Sequence, residues 1–446
     1  MKKLAEHTFN LLDSLYKYLL AAVLIFIPLY PKFPLLTVPF TYVAIRAEDF
    51  LIALVWLVFV IKILVERKIK LPRISFQFGV FFIVGLISSV SAILITQNVQ
   101  PLLVLLHLFR RLEYVSVFFL IYFAGREAGV RRYYFELLLL PALGVFLYGI
   151  AQIYFGAPVI STMDAESSKG MALVLRPGVT LNSTFAGHYD LAVYLTMMLT
   201  VLVAISSSLN SWMKRIPFMV FFVMLLWLFM QAGSRISLFG LMLSISLVII
   251  IYRRYLLGFV FFCIVTSLML TSPQYIDRFK SIFNVIYSKL SAEIVPATYA
   301  FVESTPATTP SVGAVTPTPA KVQDISSSIR FNVEWPRAMR SFYKNPFLGT
   351  GYSSIELATD NDYLRALGET GLLGLLSFLA LLIGMGKYLL KHVKNASGID
   401  KTIIVASMGI FISFLTTANF IDVFESSKIA ILFWAFMGLA FSTHSK

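Results

Sequence analysis

Cysteine is almost missing from this chain. Its one cysteine, Cys263, lies inside an apolar run, so no disulfide framework can staple the fold. Charge is scarce as well: Asp, Glu, Lys and Arg make up 13% of the residues, against about 25% in soluble domains, which excludes an ordinary soluble protein. There is no P-loop, no glycine-rich dinucleotide fingerprint, no G-x-S-x-G elbow and no metal-ligand spacing. Nucleotide-dependent chemistry of the soluble kind therefore has no support, and neither a metal nor a cofactor is expected. The ~10-residue alternating segments of an outer-membrane barrel are missing. So are internal repeats and the paired short, broken helices of transporters.

What the chain has in abundance is apolar length. It is 58% hydrophobic and 15% aromatic, with a mean hydropathy of +0.81. Runs of roughly 17 to 25 apolar residues recur, each able to cross about 30 Å of hydrocarbon as a helix. These features predict an all-α integral membrane protein of about 12 transmembrane helices, with a large extracytoplasmic loop carrying short helices. The spans fall near 15–30, 49–65, 77–96, 102–124, 134–155, 189–206, 216–231, 235–252, 255–271, 371–391, 402–420 and 427–443. The first run has no small-x-small cleavage site and ends at Pro31-Lys32, so it reads as a retained helix. Basic clusters at Lys2-Lys3, Arg67-Lys68-x-Lys70, Arg126 with Arg131-Arg132, Lys214-Arg215, Arg253-Arg254, and Lys387 to Lys401 share one side if the spans alternate. That side is cytoplasmic, with both termini inside, and the protein is expected in the cytoplasmic (inner) membrane. The same bias explains most of the net charge of +14, so no nucleic-acid partner is expected.

This parity divides the chain into N-terminal helices (1–155), an outer loop (156–188), central helices (189–271), a large outer loop (272–362) and C-terminal helices (363–446). In the large loop, Gln274 to Val295 repeats apolar residues at helical spacing, as a helix lying on the membrane surface does. Residues 296–321, rich in Thr and Pro and nearly uncharged, read as a flexible insert. Asp324 to Tyr343 is predicted to be helical from near Ser326–Ser328, with Pro336 breaking or kinking it.

The polar residues concentrate on the outer side. Arg235, in the tight link Gln231-Ala-Gly-Ser-Arg-Ile-Ser237, reads either as a snorkelling interface arginine or as an anion ligand at a helix N-terminus. Arg176, in Leu175-Arg-Pro-Gly178, precedes a string containing Asn182, His188 and Asp190, which a polar loop settling on a bilayer would also show. Arg330 and Glu334 could be a solvated helix face. Asp360-Asn361-Asp362 could be a helix N-cap or a thin divalent-cation site. Arg110-Arg111 with Glu113, in mid-span, reads as a locally neutralised kink or interface turn, with function as the alternative.

Three ordered motifs resemble the O-antigen ligase and O-antigen polymerase superfamily of bacterial envelope glycosyltransferases. The first is Arg176-Pro-Gly178 leading to Asn182 and Phe185-Ala-Gly187. The second is Gly233-Ser-Arg235 opening a helix. The third is Arg330, Trp335, Ala338, Pro346, Gly349, Gly351, Asp360-Asn361-x-Tyr363-Leu364 and Glu369-x-Gly371-Leu-x-Gly374. The resemblance covers roughly residues 170 to 390, and its third motif is the most specific.

The resemblance implies transfer of a glycan from an undecaprenyl-diphosphate carrier to an acceptor, on the outer side of the cytoplasmic membrane. The partners implied are that lipid-linked glycan, a glycan or lipid acceptor, the bilayer and polysaccharide-assembly proteins. Carried over, the diphosphate-gripping arginines are Arg176, Arg235 and Arg330. Asp360 stands where ligases usually carry a histidine proposed as base, a departure toward the polymerase branch or a less studied transferase. The chemistry needs charge stabilisation of a diphosphate leaving group, which arginine forks supply, and a base for the sugar hydroxyl. Asp360 with an ordinary pKa near 3.9 is weak for that task, so burial must raise it, or Asp362 or His188 takes the role. Trp335, Pro346, Gly349, Gly351 and Asn361 would shape the loop, the glycines letting backbone pass close to a bulky lipid-linked sugar. The alternative reading is a lipid-linked oligosaccharide flippase or other transporter.

Overall fold

The computed structural model describes residues 2–39, 41, 43–66, 70–97, 99–160, 172–173, 180–272, 275–276, 329–355 and 358–444. Arg176, most of the surface-helix segment and the Thr/Pro-rich insert lie outside the described residues. The chain is helical throughout its apolar runs. In order these are α1 (Lys2–Leu29), α2 (Ala47–Glu66), α3 (Ser75–Ser91), α4 (Pro101–Ala124), α5 (Ala128–Leu137), α6 (Leu140–Phe155), α7 (His188–Ser208), α8 (Trp212–Ala232), α9 (Arg235–Tyr252), α10 (Tyr255–Thr271), α11 (Trp335–Lys344), α12 (Asp362–His392), α13 (Gly398–Thr417) and α14 (Ser427–Ser442). Among the described residues, eight helical stretches are long and apolar enough to cross a membrane, fewer than the twelve expected. The other four expected spans are helical too. Of these, α10 and α14 are apolar but short, and α2 and α4 each carry several charged residues.

The sequence reading is corrected in several places. Two short antiparallel ribbons interrupt the all-α pattern, β1 (Pro34–Thr37) with β2 (Ala44–Arg46) and β3 (Val159–Ile160) with β4 (Ala172–Leu173). The span expected at 134–155 lies within one helical stretch, Ala128–Phe155, in which a turn at Leu138-Leu139 separates α5 from α6; Pro141, in the first turn of α6, has no N–H to carry the ladder across that turn. The helix expected from residue 371 begins nine residues earlier, and residue 371 is a kink: Gly371 has φ +68° and ψ −167°. Pro336 does not break its helix. It sits in the first turn of α11, where a wide π turn at Arg330–Glu334 passes into the α-helix.

Helices α7 and α14 are buried on all sides, so their sequences are apolar all round rather than striped. Around them the helix ends alternate. One end gathers the close of α1, the approach to α7, and the starts of α9, α12 and α14. Thr184 and Lys428 both donate to the Pro28 carbonyl there, Leu181 N donates to Gln231 O, and Asp362 N donates to Ala418 O at 2.9 Å. The other end holds the basic clusters. There Arg131 pairs with Asp400 at 2.8 Å and donates to the Ser442 carbonyl, and Arg254 donates to Asn210.

Candidate active site at the polar end of the bundle

A turn and a kink build the frame. Residues 346–351 lie against the start of α12 in backbone hydrogen bonds: Thr350 N to Gly368 O (3.1 Å), Gly351 N to Glu369 O (2.8 Å), and Leu372 N to Pro346 O (2.8 Å). The fit needs backbone without side chains. Gly349 has φ +67°, and a Cβ on it would lie 2.4 Å from the Glu369 carbonyl carbon. Gly371 has φ +68°, and a Cβ there would lie 2.4 Å from the Phe347 carbonyl carbon. The close approach that Gly349 permits is thus to the kinked helix, while Gly351, at φ +90°, passes close to Ala92, 2.3 Å from where its own Cβ would lie. From α3, Ser88 Oγ clamps both partners, donating to Leu348 O at 2.5 Å and approaching Glu369 O at 3.0 Å.

A carboxylate then shapes the loop before α12. Asp422, in the link between α13 and α14, accepts from the backbone N–H groups of Thr359 (2.7 Å), Asp360 (3.1 Å) and Asn361 (3.1 Å). Asp360 is held at φ +50°, a left-handed conformation that aspartate tolerates better than most residues. Asn361 caps α12, its Oδ1 accepting from Tyr363 N and Leu364 N, as its position before an apolar helix predicts. The two neighbouring aspartates point apart. Asp362 is 4% exposed, and its carboxylate accepts from Val423 N (2.8 Å) and Phe424 N (3.3 Å).

Asp360 meets Arg330. The guanidinium Nε donates to Asp360 Oδ2 at 2.8 Å, and Nη2 lies 2.8 Å from the same oxygen. Arg330 also lies over the Tyr189 ring, 5.8 Å from its centroid, so the first turn of α7 reaches the site. Burial disfavours the Arg330 charge, but Asp360 and Tyr189 outweigh it and hold the guanidinium above its usual range. The Asp360 carboxyl is raised by burial and by Asp422, against the pull of Arg330.

Beside this pair stands Glu334, the last residue of the π turn. Burial first, and then the charges of Asp360 and Asp422, push its carboxyl up to about 7. Its Oε2 and the indole Nε1 of Trp335 are buried and make no hydrogen bond within the described residues. The Trp335 ring packs edge-on to Phe331, 4.6 Å away, and against Phe420 at 6.2 Å.

Beneath the site runs a buried ion network. Arg365 pairs with Asp422 (2.8 Å) and Glu369 (3.2 Å). Arg111 pairs with Glu369 (2.7 Å) and Glu425, and its guanidinium stacks 3.9 Å from the Tyr352 ring centroid. The expected kink at Arg110-Arg111 is absent from the unbroken α4. Arg111 is neutralised from α12 and the last link, while Arg110 donates to the Ala44 carbonyl. A cavity of about 50 Å³ lies among Arg111, Tyr352, Asp362, Arg365, Glu369 and Glu425, which is room for roughly one or two waters and not for a sugar.

Of the residues expected from sequence, Arg330, Asp360, Trp335 and Asn361 come together. Arg235 starts α9 behind Ser234, whose hydroxyl accepts from Ser237 N; it is half-buried. His188 starts α7, stacked on Tyr189 at 4.0 Å. Asp422, Glu425 and Arg365 escaped the reading. The signal for them was available: an arginine inside a span requires a carboxylate partner, and the short link after α13 supplies two. No curated protein matches the chain. The family model described as O-antigen ligase matches residues 219–379, which include Arg235, Arg330, Glu334, Asp360 and the kink at Gly371. That match supports placing the chain in the O-antigen ligase and polymerase superfamily.

Proposed function

We propose that the chain is a membrane glycosyltransferase that moves a glycan from an undecaprenyl-diphosphate carrier to a sugar hydroxyl, on the outer face of the cytoplasmic membrane. The observation that carries this reading is the grouping of Arg330, Asp360 and Glu334 at one end of the bundle, opposite the basic end. The positive-inside bias makes the basic end cytoplasmic and so turns the site outward.

Each group has a distinct task. Arg330 grips the diphosphate with two parallel donors, a permanent charge aimed where negative charge grows as the leaving group departs. Asp360 is a positioning residue: it holds the guanidinium in place before the lipid arrives and yields it to the phosphate oxygens. Arg235, half-buried at the start of α9, is a second phosphate ligand, and Arg176 a third. Glu334 is the base. A catalytic base works best with a pKa near the operating pH, which suits Glu334 better than an aspartate held on an arginine. The acceptor O–H proton passes to the Glu334 carboxylate as the oxygen attacks the anomeric carbon. The carbon–oxygen bond to phosphate breaks, and undecaprenyl diphosphate leaves with inversion at that carbon. Asp362, buried and bonded to backbone, fixes the frame. His188 acts through Tyr189 on Arg330.

The test is reconstitution in liposomes with a labelled undecaprenyl-diphosphate oligosaccharide, beside Arg330→Ala and Glu334→Gln. Longer lipid-linked chains, lost in both variants, identify a polymerase. Product formed only after a second acceptor is added identifies a ligase. Full activity in both variants, or label crossing between leaflets without product, removes the proposal.

A further inference from the structure

At the far end of α12 from the site lies a pocket of about 610 Å³, within the range of small-molecule sites. Six basic side chains converge on it: Lys70 and Arg73 from the approach to α3, Lys387, Lys391 and His392 from the last turns of α12, and His444 after α14. No aspartate or glutamate lines it among the described residues. Its floor is aromatic and ordered by stacking. Tyr388 lies face to face with Phe441 at 3.7 Å, His392 sits 3.9 Å from Tyr388, and His444 is 4.5 Å from His392.

Two features separate this from an ordinary band of basic residues at a membrane surface. The first is Gln77, whose amide packs so closely on Gly384 that a Cβ there would lie 2.0 Å from its Oε1. That oxygen is buried and accepts no hydrogen bond within the described residues. Gln77 lines the pocket, so turning its amide off Gly384 lets a hydroxyl beside the ligand's negative charge supply the donor. The second is the pocket's continuation. Helix α3 packs along α12, and below the pocket the two present Phe76 (78% exposed), Ile83 (58%) and Ile383 (56%) to their surroundings, apolar surface that suits acyl chains.

We propose that this pocket holds the phosphodiester headgroup of an anionic phospholipid, with its acyl chains along the α3–α12 surface. Lysines and an arginine around an aromatic floor match one phosphate in charge and reach. Basic pockets between helices on the cytoplasmic side are suited to such headgroups. The pocket and the candidate site share α12, so a bound lipid would steady the helix that Asn361 caps and Gly371 kinks.

The experiment uses the full chain in neutral detergent, titrated separately with phosphatidylglycerol, phosphatidylcholine and inorganic phosphate. Binding is followed by native mass spectrometry and by the thermal midpoint. Phosphatidylglycerol should bind and raise the midpoint, and the other two should not. Lys387→Gln with Lys391→Gln should weaken that binding about 25-fold, from roughly fivefold for each charge near a lipid phosphate. Lys214→Gln, at the same end but outside the pocket, should leave it unchanged. Equal binding of both phospholipids overturns the proposal, as does a double variant that binds phosphatidylglycerol like the parent. A shift reproduced by inorganic phosphate makes the pocket a free-anion site and overturns the lipid assignment. The comparison of lipids on the unmodified chain decides even if the double variant fails to fold.

Discussion

Arg330 and Asp360 are thirty positions apart, and they meet through one oxygen. Both Nε and Nη2 of the guanidinium lie 2.8 Å from Asp360 Oδ2. A phosphate that presents two oxygens to the same fork can displace that single carboxylate oxygen. Removing the fork should therefore cost transition-state charge stabilisation. Arg330→Ala should lower kcat/KM for the lipid donor by about 10² to 10³, the range for losing one such donor. Arg330→Lys should recover little, because a point charge cannot reproduce the planar fork. Steady-state kinetics in liposomes check both, and full activity in the lysine variant would refute the bidentate grip.

Glu334 gives the reaction its pH dependence. Its carboxyl is raised to about 7 by burial and by Asp360 and Asp422. The base must be deprotonated to work, so activity should climb as pH rises through about 7 and level off above. Glu334→Gln should remove this limb together with most of the activity. Asp422→Asn removes one of the two like charges that raise Glu334, so the limb should move to lower pH. A limb that stays in place in Glu334→Gln would assign the titration to another group.

Much of this was legible in the sequence, and the illegible part has a physical pattern. Apolar runs marked the helices because each must satisfy its backbone internally in hydrocarbon. Asn361 was legible as a cap from local spacing alone. Arg330 and Asp360 were legible as polar residues of one loop, though not as partners. Asp422 was not seen, because its work is done on backbone N–H groups about sixty residues earlier, and such distant pairing leaves no local pattern. Gly371 was legible only as the start of the apolar span and not as a kink, for a related reason: the polar residues of α12 before it carry no membrane signal, and the turn that packs against them lies about twenty residues earlier.

The network beneath the site should behave as a structural unit. Arg111 is bonded to Glu369 and Glu425, and Arg365 to Glu369 and Asp422. Truncating one member strands the others. Arg111→Ala should destabilise the protein by about 3–5 kcal/mol, as for a broken buried pair. Removing the arginine and its partner together, as Arg111→Met with Glu425→Gln, should cost much less than the sum of the two single changes. Denaturant melts in mild detergent measure this, and strict additivity would show that the charges act independently.

Gly371 offers a sharper test of the frame, because its neighbour on the same helix is a control. A side chain at Gly371 meets both an unfavourable backbone conformation at φ +68° and the Phe347 carbonyl group at 2.4 Å. That backbone conformation, with ψ −167°, is essentially confined to glycine and alone costs roughly 1–3 kcal/mol, and the contact is with backbone, which cannot swing aside. Gly386, later in α12, has an ordinary φ, and its nearest neighbour is the Phe411 ring at 3.4 Å. Gly371→Ala should therefore lower the thermal midpoint clearly more than Gly386→Ala. It should also reduce transfer activity beyond any loss of folded protein, since the turn at 346–351 is bonded to the residues that flank the kink. If both alanine variants melt alike and keep full activity, the docking of that turn on α12 does not hold the site together.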